Sequence, residues 1–245
     1  MKIKSRKNFV LFYVFFTLIM LALGKYIKIL NMGNSLNMTT TPISKSIYKQ
    51  NSGSRYIPLK KYYIVIDPGH GGIDKGTSYG NMYEKDLTLK IARYAASYLR
   101  SKGNVVFLTR NKDKLLGLDQ IGDKVNSSCA DVFVSIHINS LNDKNFNGIT
   151  TLYYDVDGYQ KDERIKLAKS VEGEAVKNDN WENRGIKRQN LAVLRYSKIP
   201  GVLVECGFIT NSQDRARLSR EDVLKRLGEN ISNGVISYLN ESEIN

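Results

Sequence analysis

Short apolar segments alternate with helical patterns from residue 62 to residue 239, and this alternation leaves few folds open to the chain. Six segments rich in β-branched and aromatic residues are predicted strands: 62–67, 105–110, 132–137, 148–154, 191–195 and 202–208. Apolar residues at helical spacing predict helices at about 87–98, 118–128, 160–177, 212–219 and 221–239. Because apolar strands separated by helices form sheets that are buried on both faces, we predict one α/β domain at residues 62–245 with a mostly parallel sheet.

An apolar segment near the N-terminus predicts export or membrane attachment of this domain. A basic cluster within residues 2–7 precedes the apolar run 9–24, a pattern typical of a signal peptide or a membrane anchor within residues 1–30. Small residues at the end of the run suit cleavage by a signal peptidase, which favours a signal peptide. Apolar residues beyond the run could extend it to a membrane span, which favours an uncleaved anchor, so both interpretations stand. The basic cluster favours a cytoplasmic N-terminus and an exported, extracytoplasmic domain.

The linker and the charge distribution bear on the partners of the domain. Residues 31–61 are rich in Ser, Thr, Asn and Lys and contain no acidic residue, which predicts a flexible basic linker. Of the 37 basic and 24 acidic residues in the chain, 11 basic and no acidic residues fall within residues 1–61, so the net charge of +13 leaves +2 for the remainder. A nearly neutral domain does not predict a nucleic-acid partner, and the basic N-terminal region suits anionic lipid or an anionic wall polymer.

The cysteine content limits which cross-links and metal sites are possible. Cys129 and Cys206 are too few for a disulfide framework, and they exclude a zinc site with four cysteine ligands. Each cysteine lies beside an apolar strand, which favours two free thiols over a single bridge.

Polar residues of catalytic type lie at the ends of three predicted strands. His70 follows strand 62–67 after the turn Asp67-Pro68-Gly69, His137 ends strand 132–137, and Glu205 ends the apolar run that begins at Val202. Because sites in open α/β sheets form outside the carboxyl ends of the strands, we expect these side chains at one edge of the sheet. The two histidines of the chain are thus both placed for function.

Two imidazoles and a nearby acid predict a zinc site. Neutral imidazole is a good zinc ligand, but a catalytic site with three protein ligands needs a third, acidic residue. The candidates are Asp67, Asp74, Glu84, Asp86 and Glu205. Glu84 begins a helix, so it could be either a ligand or a helix-capping residue. Glu205 follows an apolar segment, and burial would raise its pKa and suit it to acid/base catalysis.

Four motifs together resemble the zinc-dependent N-acetylmuramoyl-L-alanine amidases of the family-3 type: VIDPGHGG, the glutamate of YEKDLTLKIA, VSIHINS, and RGIKRQNLAVLRYSKIPGVLVECGFITN. The resemblance covers about residues 62–240. It implies that His70, Glu84 and His137 bind one Zn²⁺ per chain and that Glu205 is the catalytic acid/base. It also implies a mixed six-stranded sheet with helices on both faces. Asn139 is expected to contact the substrate or support a ligand, and Gly71 and Gly72 to let the backbone approach the metal and a glycan.

The resemblance also implies an activity and a setting. The expected reaction is hydrolysis of the amide bond between N-acetylmuramic acid and the L-alanine of the stem peptide in peptidoglycan. A short anchor, a linker and a single catalytic domain are most similar to the germination-specific type of this family, which prepares spore-cortex peptidoglycan for muramic-δ-lactam formation. Targeting is then expected from the membrane segment or an accessory protein. The alternatives are another zinc hydrolase of the wall, an endopeptidase or carboxypeptidase, and a non-catalytic wall-binding scaffold.

Overall fold

The structure is a computed structural model that describes residues 60–242. The predicted signal or anchor segment and nearly all of the predicted linker lie outside the described residues. In chain order, the strands are β1 (Tyr63–Pro68), β2 (Ser78–Tyr79), β3 (Met82–Tyr83), β4 (Val105–Leu108), β5 (Val132–Asn139), β6 (Ile149–Tyr153), β7 (Asn183–Arg188) and β8 (Gly201–Phe208). The helices are α1 (Glu84–Ser101), α2 (Leu118–Ser127), α3 (Lys161–Ala175), α4 (Ala192–Tyr196), α5 (Ser212–Leu218) and α6 (Glu221–Glu241). Within the described part of the chain, no helix combines the length and the apolar character that a membrane crossing requires.

Six strands form one mixed sheet in the order β4-β1-β5-β8-β6-β7. The pairs β4/β1, β1/β5, β5/β8 and β6/β7 are parallel, and β6 pairs with β8 in the antiparallel sense. The predicted α/β class and the mixed six-stranded sheet are confirmed. Because β1, β5 and β8 run the same way, their carboxyl ends share one edge, whereas β6 and β7 bring their amino ends to that edge.

The sheet is covered on both faces, and the alternation of side chains along each strand separates two cores. Ile64 and Ile66 of β1 belong to the larger core, which is completed by α1, α3 and α6. Val65 faces the opposite way, into a smaller core that includes residues of α2 and α4. Continuous apolar strands are therefore needed here, because every second residue is buried on each side of the sheet.

Helix α1 shows how local sequence sets an element that the site depends on. Leu87, Ile91, Ala95 and Leu99 recur at intervals of four and are all buried against the sheet. The helix ends where Gly103 adopts φ of 89°, with its amide donating to the Arg100 carbonyl and the next amide donating to the Leu99 carbonyl. This is a Schellman termination, for which glycine is the favoured residue.

One predicted strand is wrong. Residues 191–195 do not form a strand; α4 (Ala192–Tyr196) occupies this position, and Val193 and Leu194 are buried in the smaller core. A five-residue apolar run fits a buried strand or a short buried helix equally well, so periodicity could not decide. The sixth strand of the sheet is β7; neither this strand nor the β2/β3 hairpin was predicted from the sequence.

The two cysteines are both free. Cys129 is exposed, with φ of 52° just beyond α2, and Cys206 is buried in β8 within the larger core.

Candidate metal centre

The edge formed by the carboxyl ends of β1, β5 and β8 gathers four of the predicted site residues. His70 lies in the turn after β1, His137 lies two residues before the end of β5, and Glu205 lies in β8 directly opposite His137. Glu84 is the first residue of α1 and is buried beneath the turn. The structure therefore brings residues from three strands and one helix start to a common point.

His70, Glu84 and His137 form a compact group of possible metal ligands, with one ligand atom of each lying within 4.8 Å of the others. Glu84 Oε1 lies 3.2 Å from His70 Nε2 and 3.0 Å from His137 Nδ1. Ligand atoms about 2.0–2.1 Å from a tetrahedral zinc ion lie about 3.3 Å from one another. The donor atoms thus have both the identity and the spacing that suit a zinc ion.

Electrostatics at this group favour a bound positive charge. Burial raises the pKa of Glu84, but hydrogen bonds to the two imidazoles outweigh burial and lower it to about 2. Burial lowers the pKa of His70, but hydrogen bonds to Glu84 and Asp74 outweigh burial and raise it to about 9. The negative charges of Glu84 and Asp74 stabilise a proton on His70, and they would equally stabilise a divalent cation. The cation would therefore compete with that proton.

The second oxygen of Glu84 is also held. Glu84 Oε2 accepts a hydrogen bond of 2.8 Å from the Thr77 amide, and Oε1 accepts one of 2.9 Å from the Ile138 amide. These amides orient the carboxylate toward the imidazoles rather than toward the end of its own helix. Glu84 therefore belongs to the metal-binding group in its geometry, although it also begins α1.

The turn that presents His70 is tightly packed around its glycines. A Cβ atom at Gly69 would lie 2.4 Å from the His137 ring, and one at Gly76 would lie 2.4 Å from Glu84 Oε2. Gly71 and Gly72 instead crowd the backbone of Lys114 and Leu115. Gly69 and Gly76 are therefore the glycines that allow close approach to the ligands, whereas approach of the backbone at Gly71 and Gly72 to a metal and a glycan stays a prediction.

His70 itself has φ of 63°, in the left-handed region that non-glycine residues rarely adopt. Asp74 Oδ2 lies 2.8 Å from His70 Nδ1, the ring nitrogen that faces away from Glu84. A carboxylate in this position fixes the orientation of an imidazole ligand and increases its basicity. Asp74 was a candidate for the third ligand, and in the structure it contacts His70 rather than joining the group of possible ligands.

Two further residues hold the turn in place, a role that was predicted for neither of them. Asp67 is buried and accepts hydrogen bonds from the hydroxyls of Thr109 and Ser135. Arg110 is also buried, and it donates 2.9 Å hydrogen bonds to the carbonyls of Pro68 and Gly69. Arg110 is the last residue of the predicted strand 105–110, and its buried position depends on tertiary structure that the strand pattern does not reveal.

Glu205 lies beside the ligand group in an apolar setting. Its Cα is paired with that of His137, so the two side chains point to the same face of the sheet. Glu205 Oε2 is buried and accepts no hydrogen bond from the described residues. Burial raises the pKa of Glu205 to about 7, the negative charge of Glu84 adds to this effect, and the two histidines oppose it. A carboxyl group with such a pKa can both accept and release a proton near neutral pH.

Asn139 lies at the end of β5, and its Oδ1 accepts a hydrogen bond from the Ser140 amide. The pairing of β5 with β8 shifts register between His137 and Asn139, so regular alternation along the strand is interrupted there. A contact of Asn139 with substrate or with a ligand therefore stays a prediction.

The match to known proteins is extensive. Residues 64–237 match the family model of N-acetylmuramoyl-L-alanine amidases. The chain belongs to this family. Among its relatives, the N-acetylmuramoyl-L-alanine amidase LytC of Bacillus subtilis strain 168 is 34% identical over 209 residues, which cover 85% of this chain and 41% of LytC.

Solved amidase structures agree with the fold. The crystal structure of N-acetylmuramoyl-L-alanine amidase from Clostridium difficile 630 matches with a TM-score of 0.68 and 39% identity, covering 74% of this chain and 97% of that chain. The CwlD amidase from Clostridioides difficile, solved in complex with the GerS lipoprotein, matches with a TM-score of 0.69 and 28% identity, covering 74% of this chain and 100% of that chain. Membership of this amidase family supports cleavage of peptidoglycan.

A cavity of about 470 Å³ opens beside the metal-binding group of the amidase domain, and we call it the catalytic cavity. Its polar side is lined by His70, His137, Arg110, Asp67 and Asp74. The opposite wall is apolar and comes from two segments, residues 115–121 and residues 191–193. A polar reacting bond can therefore lie at the metal-binding group while apolar parts of the substrate contact the opposite wall.

Proposed function

We propose that this chain is a zinc-dependent hydrolase of the amide bond between N-acetylmuramic acid and the L-alanine of the stem peptide. The observation that carries the proposal is the convergence of His70, Glu84 and His137 at the sheet edge, beside a carboxyl group with a buried, unpaired oxygen. The family match supports the bond that is cut.

Each side chain has a distinct task in the proposed reaction. His70, Glu84 and His137 would hold zinc, which when bound would supply a polarised water molecule and a positive charge beside the scissile carbonyl. Glu205 accepts a proton from the attacking water and returns it to the nitrogen of the departing L-alanine. Asp74 keeps the His70 ring oriented throughout.

The direct test is mass spectrometry of the products formed when the zinc-loaded protein is incubated with purified peptidoglycan. Free stem peptides that begin with L-alanine, and that disappear when a chelator is added, are the expected result. Cleavage between two amino acids of the stem would instead assign the protein to the zinc endopeptidases or carboxypeptidases. Absence of cleavage in zinc-loaded protein would indicate a required partner protein or a specialised cortex substrate.

Two variants separate the proposed roles of the site residues. Glu205→Gln is expected to keep zinc and the fold but to lose nearly all turnover, because the amide cannot transfer the proton. His137→Ala is expected to lose the metal, which elemental analysis would detect. Full turnover in the first variant, or one zinc per chain in the second, would contradict the corresponding assignment.

The proposed setting is extracytoplasmic, with export or membrane attachment through residues 1–30, followed by the linker at residues 31–61. Similarity to CwlD, which was solved in complex with the GerS lipoprotein, supports an accessory protein partner for this chain. The proposed role in spore-cortex maturation and germination rests on the order of an N-terminal apolar segment, a linker and a single amidase domain in the sequence. Cells that lack the protein are then expected to make cortex with little muramic-δ-lactam. Normal δ-lactam content would exclude the cortex role and leave vegetative wall turnover.

A further inference from the structure

A second cavity, of about 650 Å³, opens along the edge strand β4, and we call it the basic cleft. Its walls come from α1, from β4 with the loop that follows it, and from α2. Six cationic side chains line it: Arg93, Arg100, Arg110, Lys112, Lys114 and Lys124. No acidic side chain is among its lining residues. A concave surface with charge of one sign concentrates ligands of the opposite sign.

Much of this charge is not neutralised by contact with protein carboxylates. Lys112, Lys114 and Lys124 are exposed, and within residues 60–242 no ion pair involves any of them. Arg100 donates a 2.6 Å hydrogen bond to the Val106 carbonyl, and Arg93 donates to the Asn111 carbonyl. Neutral groups thereby hold both arginines along the cleft, and neither forms an ion pair with a carboxylate among the described residues.

Arg110 is the buried member of the set, with 4% of its surface exposed. All four of its carbonyl contacts are neutral: it donates to Pro68, Gly69 and Lys85 at 2.9 Å, and to Lys112 at 3.3 Å. No carboxylate among the described residues accepts a hydrogen bond from this guanidinium. Burial lowers the pKa of Arg110, whereas the carboxylates of Asp67, Asp113 and Asp86 favour its charge without contacting it. An anionic group of a ligand nearby would further offset the cost of burying this cation.

The basic cleft continues into the catalytic cavity. Arg110 and Leu116 line both cavities, so one surface leads from His70 and His137 to the exposed lysines. A substrate cut at the metal-binding group extends in two directions, as a neutral amino sugar on one side and as a peptide with free carboxylates on the other. The charge of the cleft is complementary to the peptide.

We propose that the basic cleft binds the free carboxylates of the stem peptide and so positions the peptide side of the scissile bond. The proposal rests on the proposed function, because that function supplies the peptide. Two anionic ligands could occupy the cleft: the peptide part of the substrate, or a separate wall polymer that carries phosphate. Because the cleft is continuous with the catalytic cavity, it favours the peptide, since a separate polymer would not need to reach His70.

The test compares two triple variants of the full-length protein that lose the same net charge. Lys112→Gln, Lys114→Gln and Lys124→Gln together alter the cleft, whereas Lys161→Gln, Lys169→Gln and Lys198→Gln together alter exposed lysines outside both cavities. Calorimetry gives the Kd of the stem peptide in its free-acid and carboxamide forms. From typical exposed charge pairs, the cleft variant is expected to weaken free-acid binding about 3- to 30-fold. Carboxamide binding, and both Kd values of the control variant, are expected to stay unchanged.

Several results would overturn the proposal. The proposal would be wrong if wild-type protein bound the free acid no more tightly than the carboxamide. It would also be wrong if the cleft variant had wild-type Kd values for both forms of the peptide. Loss of binding by the cleft variant to intact walls carrying phosphodiester polymer, without loss for the peptide, would assign the cleft to that polymer instead. Because calorimetry needs no turnover, failure of the amidase reaction would be detected separately, as absence of peptide release by wild type.

Discussion

Glu172 of α3 offers a test of the electrostatics away from the metal centre. It is 3% exposed, and its Oε2 accepts a 2.7 Å hydrogen bond from the Thr151 hydroxyl. Its Oε1 is buried and has no hydrogen-bond partner among the described residues. Burial raises the pKa of Glu172 from 4.5 to about 7, and the Thr151 hydroxyl together with the backbone amides of Gly185 and Thr151 opposes this rise without cancelling it. Glutamine at this position would imitate the protonated acid.

The size and sign of the effect follow from the difference in pKa between the folded and unfolded states. A rise from 4.5 to about 7 corresponds to about 3 kcal/mol. Between these pH values the folded protein keeps a proton that the unfolded chain has released, so the free energy of unfolding falls as pH rises. Glu172→Gln removes that decrease. The variant is therefore expected to match wild type near pH 4.5 and to be more stable by about 3 kcal/mol above pH 7.

Urea unfolding followed by circular dichroism, at about pH 5 and about pH 7.5, would measure this difference. The exposed Glu182→Gln variant is a matched control and is expected to follow wild type at both pH values. A difference between Glu172→Gln and wild type that is the same at both pH values would refute the reasoning. So would a variant that is less stable at the higher pH.

Three further predictions concern zinc binding and the stability of the fold. Gly69→Ala is expected to lower the zinc content measured by elemental analysis, because its Cβ would lie 2.4 Å from the His137 ring; Gly173→Ala, where the added Cβ meets nothing within 4 Å, is the control. Asp74→Asn is expected to weaken zinc binding about 10- to 100-fold in a chelator competition, and unchanged affinity would contradict its orienting role. Asp214→Ala is expected to lower the free energy of unfolding by about 3–5 kcal/mol in urea titration, because the buried carboxylate accepts from two backbone amides and an arginine; a loss below about 1 kcal/mol would refute this.

The elements that the sequence predicted well are those with long, regular patterns. Helix α6 and strand β5 have many apolar residues at a single period, and their positions agree with prediction to within about two residues. Strand β7 was not predicted because it is an edge strand with few apolar residues. Of its residues, Ile186 alone packs against the core, and the partly or fully exposed polar residues are Asn183, Arg184, Lys187 and Arg188. Edge strands are often charged, and such a segment resembles a loop in sequence.

At the site, residues that are rare and lie at strand ends could be predicted, whereas their supports could not. His70 and His137 are the two histidines of the chain, and Glu205 interrupts an apolar run, so each is conspicuous. Asp74 contacts His70, and Arg110 donates to the carbonyls of Pro68 and Gly69. These contacts depend on the conformation of the turn after β1, which the sequence pattern does not specify. Glu84 was ambiguous on spacing alone, since its orientation depends on amides at Thr77 and Ile138.

Strand β6 runs antiparallel to β8, and this change of direction divides the residues around the site into two groups. The two groups differ in how far their sequence and length can vary without loss of the site. The metal-binding group and Glu205 come from β1, α1, β5 and β8. The amino ends of β6 and β7 complete the same edge through the segments 140–148 and 176–182, which supply none of these four residues. Changes in the length of those segments can alter what approaches the reacting bond while the reaction itself is preserved. One catalytic apparatus can in this way be fitted to walls of different architecture.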